Sequence, residues 1–384
     1  MKTCIYCKHS KEEDEFTLEH VISQFLGGAQ APDHLKTRDV CGVCNSNLGL
    51  FVDASFEKDF LVYSLLSEAA YSFFNPDRPT ALPLRCMGKS DLEPPEMKED
   101  EVCELWIGPL GEQVYWIRPS DERMYWYSGG NPITTRRVST RAYFLWSERS
   151  QKNPMITWLS FGDAFKGRKV RKVSCTEVEG ADLSEIGFSG ADDLDLTRIT
   201  YFNGMCSQGQ IREAQVSMYL RYDVRYMAKL AIGIGHALFG ETFDNSRHAR
   251  ELHKALWYRE GHPEPDIPGQ SALRHENDSL TSACGFNNAV TLTIIASEKY
   301  LALNLNLSRK MNWNIALAEI EDIKELMGED MRDGICVILF KTIGKGVSVS
   351  LPELIAHNQG LVTHQDLVEA EGLANKSVGY FENL

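Results

Sequence analysis

The chain has 384 residues, enough for two or three domains with cores of their own. Its apolar fraction of 43% is that of an ordinary globular protein, and no apolar run reaches the ~18 residues of a membrane span. The formal net charge of −14 argues against a chain that coats nucleic acid through overall charge, so a grip on phosphates would need a local basic face. The start, Met1-Lys2-Thr3-Cys4, has no apolar leader, so a cytoplasmic protein with reduced thiols and no membrane contact is expected.

Four of the ten cysteines form two hooks, Cys4-x-x-Cys7 and Cys41-x-x-Cys44. A two-residue gap lets both sulfurs of one turn face the same ion, and four thiolates suit a tetrahedral structural zinc. Binding zinc supplies folding free energy to a segment too short for a large core. Between the hooks lie Glu19-His20-Val21-Ile22 and Gly27-Gly28, and Asn45 follows the fourth cysteine. The zinc staple brings Glu19 and His20 into the neighbourhood of Asn45. A carboxylate and an amide oxygen suit a hard divalent ion such as Mg²⁺ or Mn²⁺. A neutral imidazole beside that ion can accept a proton from water, which is the equipment for phosphodiester hydrolysis. On the cysteines alone a purely structural zinc ribbon is the commoner outcome, but a ribbon has no need for Asn45.

At these residues the chain resembles the HNH endonuclease family, in its branch with two C-x-x-C hooks, an E-H-V-I segment, G-G and C-x-x-C-N. The resemblance covers about the first sixty residues. It implies a ββα-metal finger, a strand ribbon followed by a helix, around one catalytic ion. It further implies His20 as general base, Glu19 and Asn45 as ligands of the catalytic Mg²⁺ or Mn²⁺, and Cys4, Cys7, Cys41 and Cys44 on a separate zinc. The family's middle Asn has no clear counterpart; His34 and Thr37 lie in its region. The implied substrate is DNA. One finger with one ion cuts one strand, so a monomer nicks and a double-strand break needs a dimer or two visits. Bacterial antiphage defence or a mobile element is the expected setting, with control by a protein partner or a small signal ligand. The alternative is a non-catalytic zinc module for nucleic-acid or protein contacts.

Leu48, Phe51, Val52, Phe56, Phe60, Leu61 and Leu65 recur at helical steps, so 45–67 reads as the finger helix running into a second helix. Asp53 on this stretch reads as an exposed helical residue. Pro76, Pro79 and Pro83 end the region. From 84 to 165 the chain reads as β-rich, with strands at 102–107 and 113–117 around a Gly108–Gly111 turn, then at 125–127, 141–147 and 156–161. Its many aromatics fit sheet packing better than base stacking. Two basic clusters could meet phosphates: Arg136, Arg137 and Arg141, and more strongly Lys166, Arg168, Lys169, Arg171 and Lys172.

The acidic stretch 174–197 reads as a loop or linker. The strongest helical pattern is 214–239, with an apolar stripe at Met227, Leu230, Ala231, Ile234 and Leu238, and a second helix follows over 243–257. His248 and His253 on that second helix lack metal-pinching spacing and read as packing or surface residues. The Ala228–Ala231 segment resembles a helix seen in many proteins with this finger and carries no chemistry by itself. The Pro-rich 261–269 reads as a boundary, followed by strands at 290–295, 300–307, 335–340 and 347–350 and a helix at 315–327. Cys86, Cys103, Cys175, Cys206, Cys284 and Cys336 read as small buried hydrophobes. No P-loop, dinucleotide fingerprint or G-x-S-x-G elbow occurs. The expected class is α+β: a finger at 1–75, a β-rich domain at 76–175 and a mixed α/β domain at 176–384, the larger remainder regulating the finger or contacting DNA.

Overall fold

The computed structural model describes residues 1–120, 132–178, 182–207, 213–216, 220–259, 261–270, 272 and 279–384. Two compact units divide the chain. One gathers Met1–Glu57 with Leu220–Gly372, the other Lys58–Tyr219 with Leu373–Leu384. This grouping differs from three consecutive segments. The finger's apolar residues, among them Val21, Ile22, Leu26, Val52 and Phe56, are sealed from solvent, and the cover comes from a helix far along the chain.

In the first unit, strands Phe16–His20 and Lys36–Cys41 pair antiparallel, and the helix Gly42–Leu48 follows. That is the expected two-stranded ribbon and helix. The helix continues through a π-turn at Gly49–Asp53 and a short segment, Ala54–Glu57. The long helix Leu220–Asp244, kinked at Gly240, and the helix Arg247–Leu256 stand against an antiparallel sheet. The sheet order is Gly269–Gln270, Met311–Glu319, Tyr300–Leu307, Val290–Ala296, Ile335–Phe340 and Lys345–Ser350. Phe56 stacks on Tyr226 at 4.2 Å and meets Trp313 edge-on at 5.1 Å, so finger, long helix and sheet share one aromatic core. The helix expected at 315–327 is a strand to Glu319 with only a short helix, Ile320–Ile323, after it. Its apolar run Ile315–Ala318 is buried, and over a few residues such a run fits either element. The Pro-rich 261–269 lies within this unit rather than at a boundary.

The second unit holds a six-stranded sheet in the order Ala214–Gln215, Arg85–Ser90, Glu101–Ile107, Gln113–Pro119, Thr140–Leu145 and Val170–Ser174. All its pairs are antiparallel except the last, which is parallel. A parallel pair needs a crossover, and the helix Pro154–Asp163 supplies it. The strand expected at 156–161 is therefore this helix. Pro at its first turn favours helix, and Ile156, Thr157, Ser160 and Phe161 are buried at helical spacing. Trp106, Trp116, Phe144 and Phe161 pack on one sheet face, Tyr115, Tyr143 and Phe202 on the other, so the aromatics belong to the core. The linker expected at 174–197 contains the start of the helix Asp193–Ser207. The strand expected at 125–127 lies outside the described residues. No described helix is long and apolar enough to cross a membrane.

Candidate metal centre and active site

The two hooks meet where the ribbon begins. The Cys4 amide donates to His9 O at 3.1 Å, the Ile5 amide to Asp39 O at 2.9 Å and the Lys8 amide to Cys4 O at 2.8 Å. Lys8 takes a left-handed conformation, φ 57°, to close this turn. The sulfurs of Cys4, Cys7, Cys41 and Cys44 all lie within 4.8 Å of one another. A tetrahedral zinc with Zn–S of about 2.3 Å separates its sulfurs by about 3.8 Å, so the donor set fits such an ion. The Cys4 thiol is pulled down to about 4, chiefly by its hydrogen bond with Cys44, whose own thiol is pushed up. Thiols bind a dication as thiolates, so zinc binding to this cluster releases protons. The other six cysteines form no disulfide, and all but the half-buried Cys206 are buried.

Thr17, Glu19 and His20 share one strand, and its pairing with the partner strand is bulged. Thr17 pairs with Val40 and Glu19 with Thr37, so Arg38 and Asp39 both stand against Leu18 and the extra residue belongs to the partner strand. Thr17 and Glu19, two residues apart, nonetheless differ in exposure. Thr17 is exposed and accepts a hydrogen bond from Asn45 Nδ2 at 3.0 Å; the same nitrogen donates to Leu18 O at 3.1 Å. With Nδ2 so engaged, Asn45 Oδ1 is left without a hydrogen bond among the described residues. His20 is partly exposed and stands opposite Lys36. The loop after it folds through two 3-10 turns. There Gly27 has φ 94°, and a Cβ on Gly28 would collide with the Ile22 carbonyl, so both glycines are required.

Glu19 points inward. It is 4% exposed, and Lys229 Nζ lies 3.1 Å from its Oε1. Lys229, from the long helix, also donates to both oxygens of Asp53 at 2.8 and 2.6 Å. Burial disfavours the Lys229 charge, but Asp53 and Glu19 outweigh it and hold the ammonium above its ordinary range. Burial pushes the Glu19 carboxyl up, and Lys229 reverses only part of that. Tyr6 is fully buried beside this group, and burial followed by the charges of Glu19 and Asp53 raises its phenol. Asp53 is therefore an ion-paired residue, not the exposed helical one expected. The π-turn at Gly49–Asp53 inserts one residue into the helix, shifting which face the following side chains present.

Hydrogen bonds thus join Asn45 to the strand that carries Glu19 and His20, and the ion pair joins Glu19 to the long helix; no hydrogen bond links Glu19, His20 and Asn45 to one another among the described residues. Of the residues in the region of the middle Asn, His34 is exposed, while Thr37 is buried opposite Glu19 and donates to Asp39 at 3.0 Å. His248 is a packing residue, its Nε2 2.7 Å from Ala316 O. The second basic cluster is partly engaged internally. Arg171 pairs with Asp195 at 3.0 Å, and Lys172 donates to Phe161 O and Gly162 O at 2.9 Å. Arg168 lies over the Trp116 ring at 5.4 Å, whereas Lys166 and Lys169 are exposed. Arg141 pairs with Asp192 and Asp195, while Arg136 and Arg137 are exposed. Sequence reasoning missed Lys229; the available signal was a lysine inside the apolar run from Tyr226 to Ile234.

The family model for HNH endonuclease matches residues 4–61. The match covers the ribbon and its helix and runs into the start of the next helix, Phe60–Ser72, and it contains both hooks, Glu19, His20 and Asn45. No curated protein and no solved structure matches the chain.

Proposed function

We propose that this protein is a metal-dependent endonuclease that hydrolyses phosphodiester bonds in DNA through its N-terminal HNH domain. The observation that carries this reading is the pair of hydrogen bonds from Asn45 to Thr17 and Leu18. A zinc ribbon needs only its cysteines. Here the residue after the fourth cysteine locks helix to strand and leaves an amide oxygen to face a cation beside the Glu19–His20 segment.

The donor chemistry fits a hard divalent ion. Asn45 Oδ1 has no hydrogen bond among the described residues, and Glu19 turns Oε1 to Lys229 at 3.1 Å, so its other oxygen is the one for an ion. Glu19 and Asn45 would hold the ion, which when bound supplies charge for the phosphate and the departing 3′-oxygen. His20, partly exposed on the same strand, accepts the proton of the attacking water. One such site cuts one strand, so the monomer nicks. Among the described residues, the exposed Lys166 and Lys169, with Arg136 and Arg137, are positive charges that could meet DNA phosphates.

A second reading has one observation in its favour. The Glu19 carboxylate already has a buried ammonium beside it, which suits a structural zinc module. Plasmid nicking by the zinc-loaded protein in Mg²⁺ or Mn²⁺ separates the two. His20→Ala is expected to lower nicking by at least ~100-fold with zinc content and fold unchanged. Wild-type protein that cuts neither DNA nor RNA, or a variant as active as wild type, would sink the nuclease reading.

A further inference from the structure

The long helix reaches the finger at one charged point. Lys229 is 2% exposed, and every partner it has on the finger is a carboxylate: both oxygens of Asp53, and Glu19 Oε1. Burying an ammonium and two carboxylates is costly unless their geometry is good. Two local irregularities lie beside it: the bulge that sets Arg38 and Asp39 against Leu18, next to Glu19, and the π-turn Gly49–Asp53, which ends on Asp53.

The group is not saturated. One ammonium serves two carboxylates, Asp53 through both oxygens and Glu19 through Oε1. Two polar atoms sealed here from solvent lack hydrogen bonds among the described residues, Glu19 Oε1 and Tyr6 Oη. A Cβ on Gly233, one helical turn after Lys229, would stand 3.1 Å from that Tyr6 oxygen, so phenol and ammonium lie on one side of the helix. Orphaned buried polar atoms beside two carboxylates that share one ammonium call for an explanation, and a bound ion supplies one. Of the two Glu19 oxygens only Oε1 is sealed in this way.

We propose that Lys229, braced by Asp53, is a positioning residue of the nuclease site: from the long helix it fixes the Glu19 carboxylate so that its other oxygen is presented to the divalent ion. This rests on the functional reading above. Metal-binding carboxylates are ordinarily oriented by a partner behind them, and removing that partner typically weakens metal binding about 10–100-fold. The finger then supplies the ligands, and a helix far along the chain supplies their aim.

The test is Mn²⁺ binding to the full-length, zinc-loaded protein, read from the free Mn²⁺ signal in solution by electron paramagnetic resonance. The double variant D53N/K229Q replaces a neutral ion pair with neutral amides, so it changes the aim of Glu19 without changing net charge. We expect its Mn²⁺ affinity to fall at least ~10-fold while zinc content and circular dichroism stay at wild-type values. Affinity that is unchanged or tighter overturns the proposal, the first leaving Lys229 a structural tie and the second making it a competitor of the ion. A second measurement needs no variant. In ¹⁵N-lysine-labelled wild type, titration with diamagnetic Mg²⁺ is expected to shift the buried Lys229 ammonium signal as the ion saturates its site. A signal indifferent to Mg²⁺, or wild-type protein that binds no Mn²⁺, overturns the proposal as well. Mn²⁺ bound with wild-type affinity by a protein that cuts no nucleic acid would refute the nuclease reading alone.

Discussion

His236 stands between two carboxylates, with Nδ1 2.9 Å from Asp244 and Nε2 2.9 Å from Asp39. Asp39 belongs to the finger strand and also pairs with Lys2, so this imidazole ties the long helix to the ribbon. Burial opposes its charge, but the bonds to Asp244 and Asp39 prevail and raise its pKa. Because the folded value lies above the unfolded one of about 6.5, the stabilisation is complete below about pH 6.5. It is lost as pH climbs through the raised value. The two aspartates, lowered despite burial, act in the opposite sense: their contribution is present above about pH 3.9 and fades on acidification. Thermal midpoints measured from pH 6 to 9 are therefore expected to fall in wild type and to stay flatter in His236→Asn. Parallel curves for the two proteins would refute a charged His236. The residue scale is also where the sequence was most readable. The two hooks announce a metal cluster by type and spacing, and Glu19-His20 and Asn45 are picked out by a local pattern of the same kind. Lys229, Asp53 and His236 do not, because each acquires meaning only from a partner remote in the chain.

At the scale of elements, the finger and the long helix approach so closely that glycine is needed between them. A Cβ on Gly233 would sit 2.7 Å from Val21 Cγ1 and 3.1 Å from Tyr6 Oη. Alanine normally favours a helix over glycine by about 1 kcal/mol, yet overpacking costs about 1–3 kcal/mol, so the steric effect wins. Gly233→Ala is expected to lower the urea midpoint. Gly372 lies in the helix Gln365–Glu382 with nothing within 4 Å of its ideal Cβ. There Gly372→Ala is expected to raise the midpoint by about 0.5–1 kcal/mol of stability. Equal effects from the two substitutions would mean that the close approach is absent. Strands with long alternation or continuous apolar runs, such as those near 102–107, 290–295 and 335–340, were legible in the sequence. The segments 156–161 and 315–319 were not, since a five- or six-residue apolar run satisfies both periods and neighbouring packing decides between them.

At the scale of the molecule, the finger does not stand alone. Met1–Glu57 forms one compact unit with Leu220–Gly372. Trp257 donates to Tyr6 O at 2.9 Å, Lys8 meets Asp244 at 3.3 Å, and Tyr226 donates to Ser23 Oγ at 3.2 Å. A fragment of residues 1–75 would expose Val21, Ile22 and Phe56 and strand the Glu19 and Asp53 carboxylates. It is expected to be protease-sensitive even with zinc, whereas 1–57 joined by a flexible linker to 220–372 is expected to resist. A stable 1–75 fragment would overturn this account of the unit. The gathering of the four hook cysteines was determined by the sequence itself, because the geometry of thiols within a turn depends on a spacing of a few residues. The cation behind Glu19, the inward turn of Asp53 and the aromatic stack of Phe56, Tyr226 and Trp313 were decided only by the tertiary structure. They join side chains more than 150 positions apart, and such meetings depend on how whole elements pack, which no local period encodes.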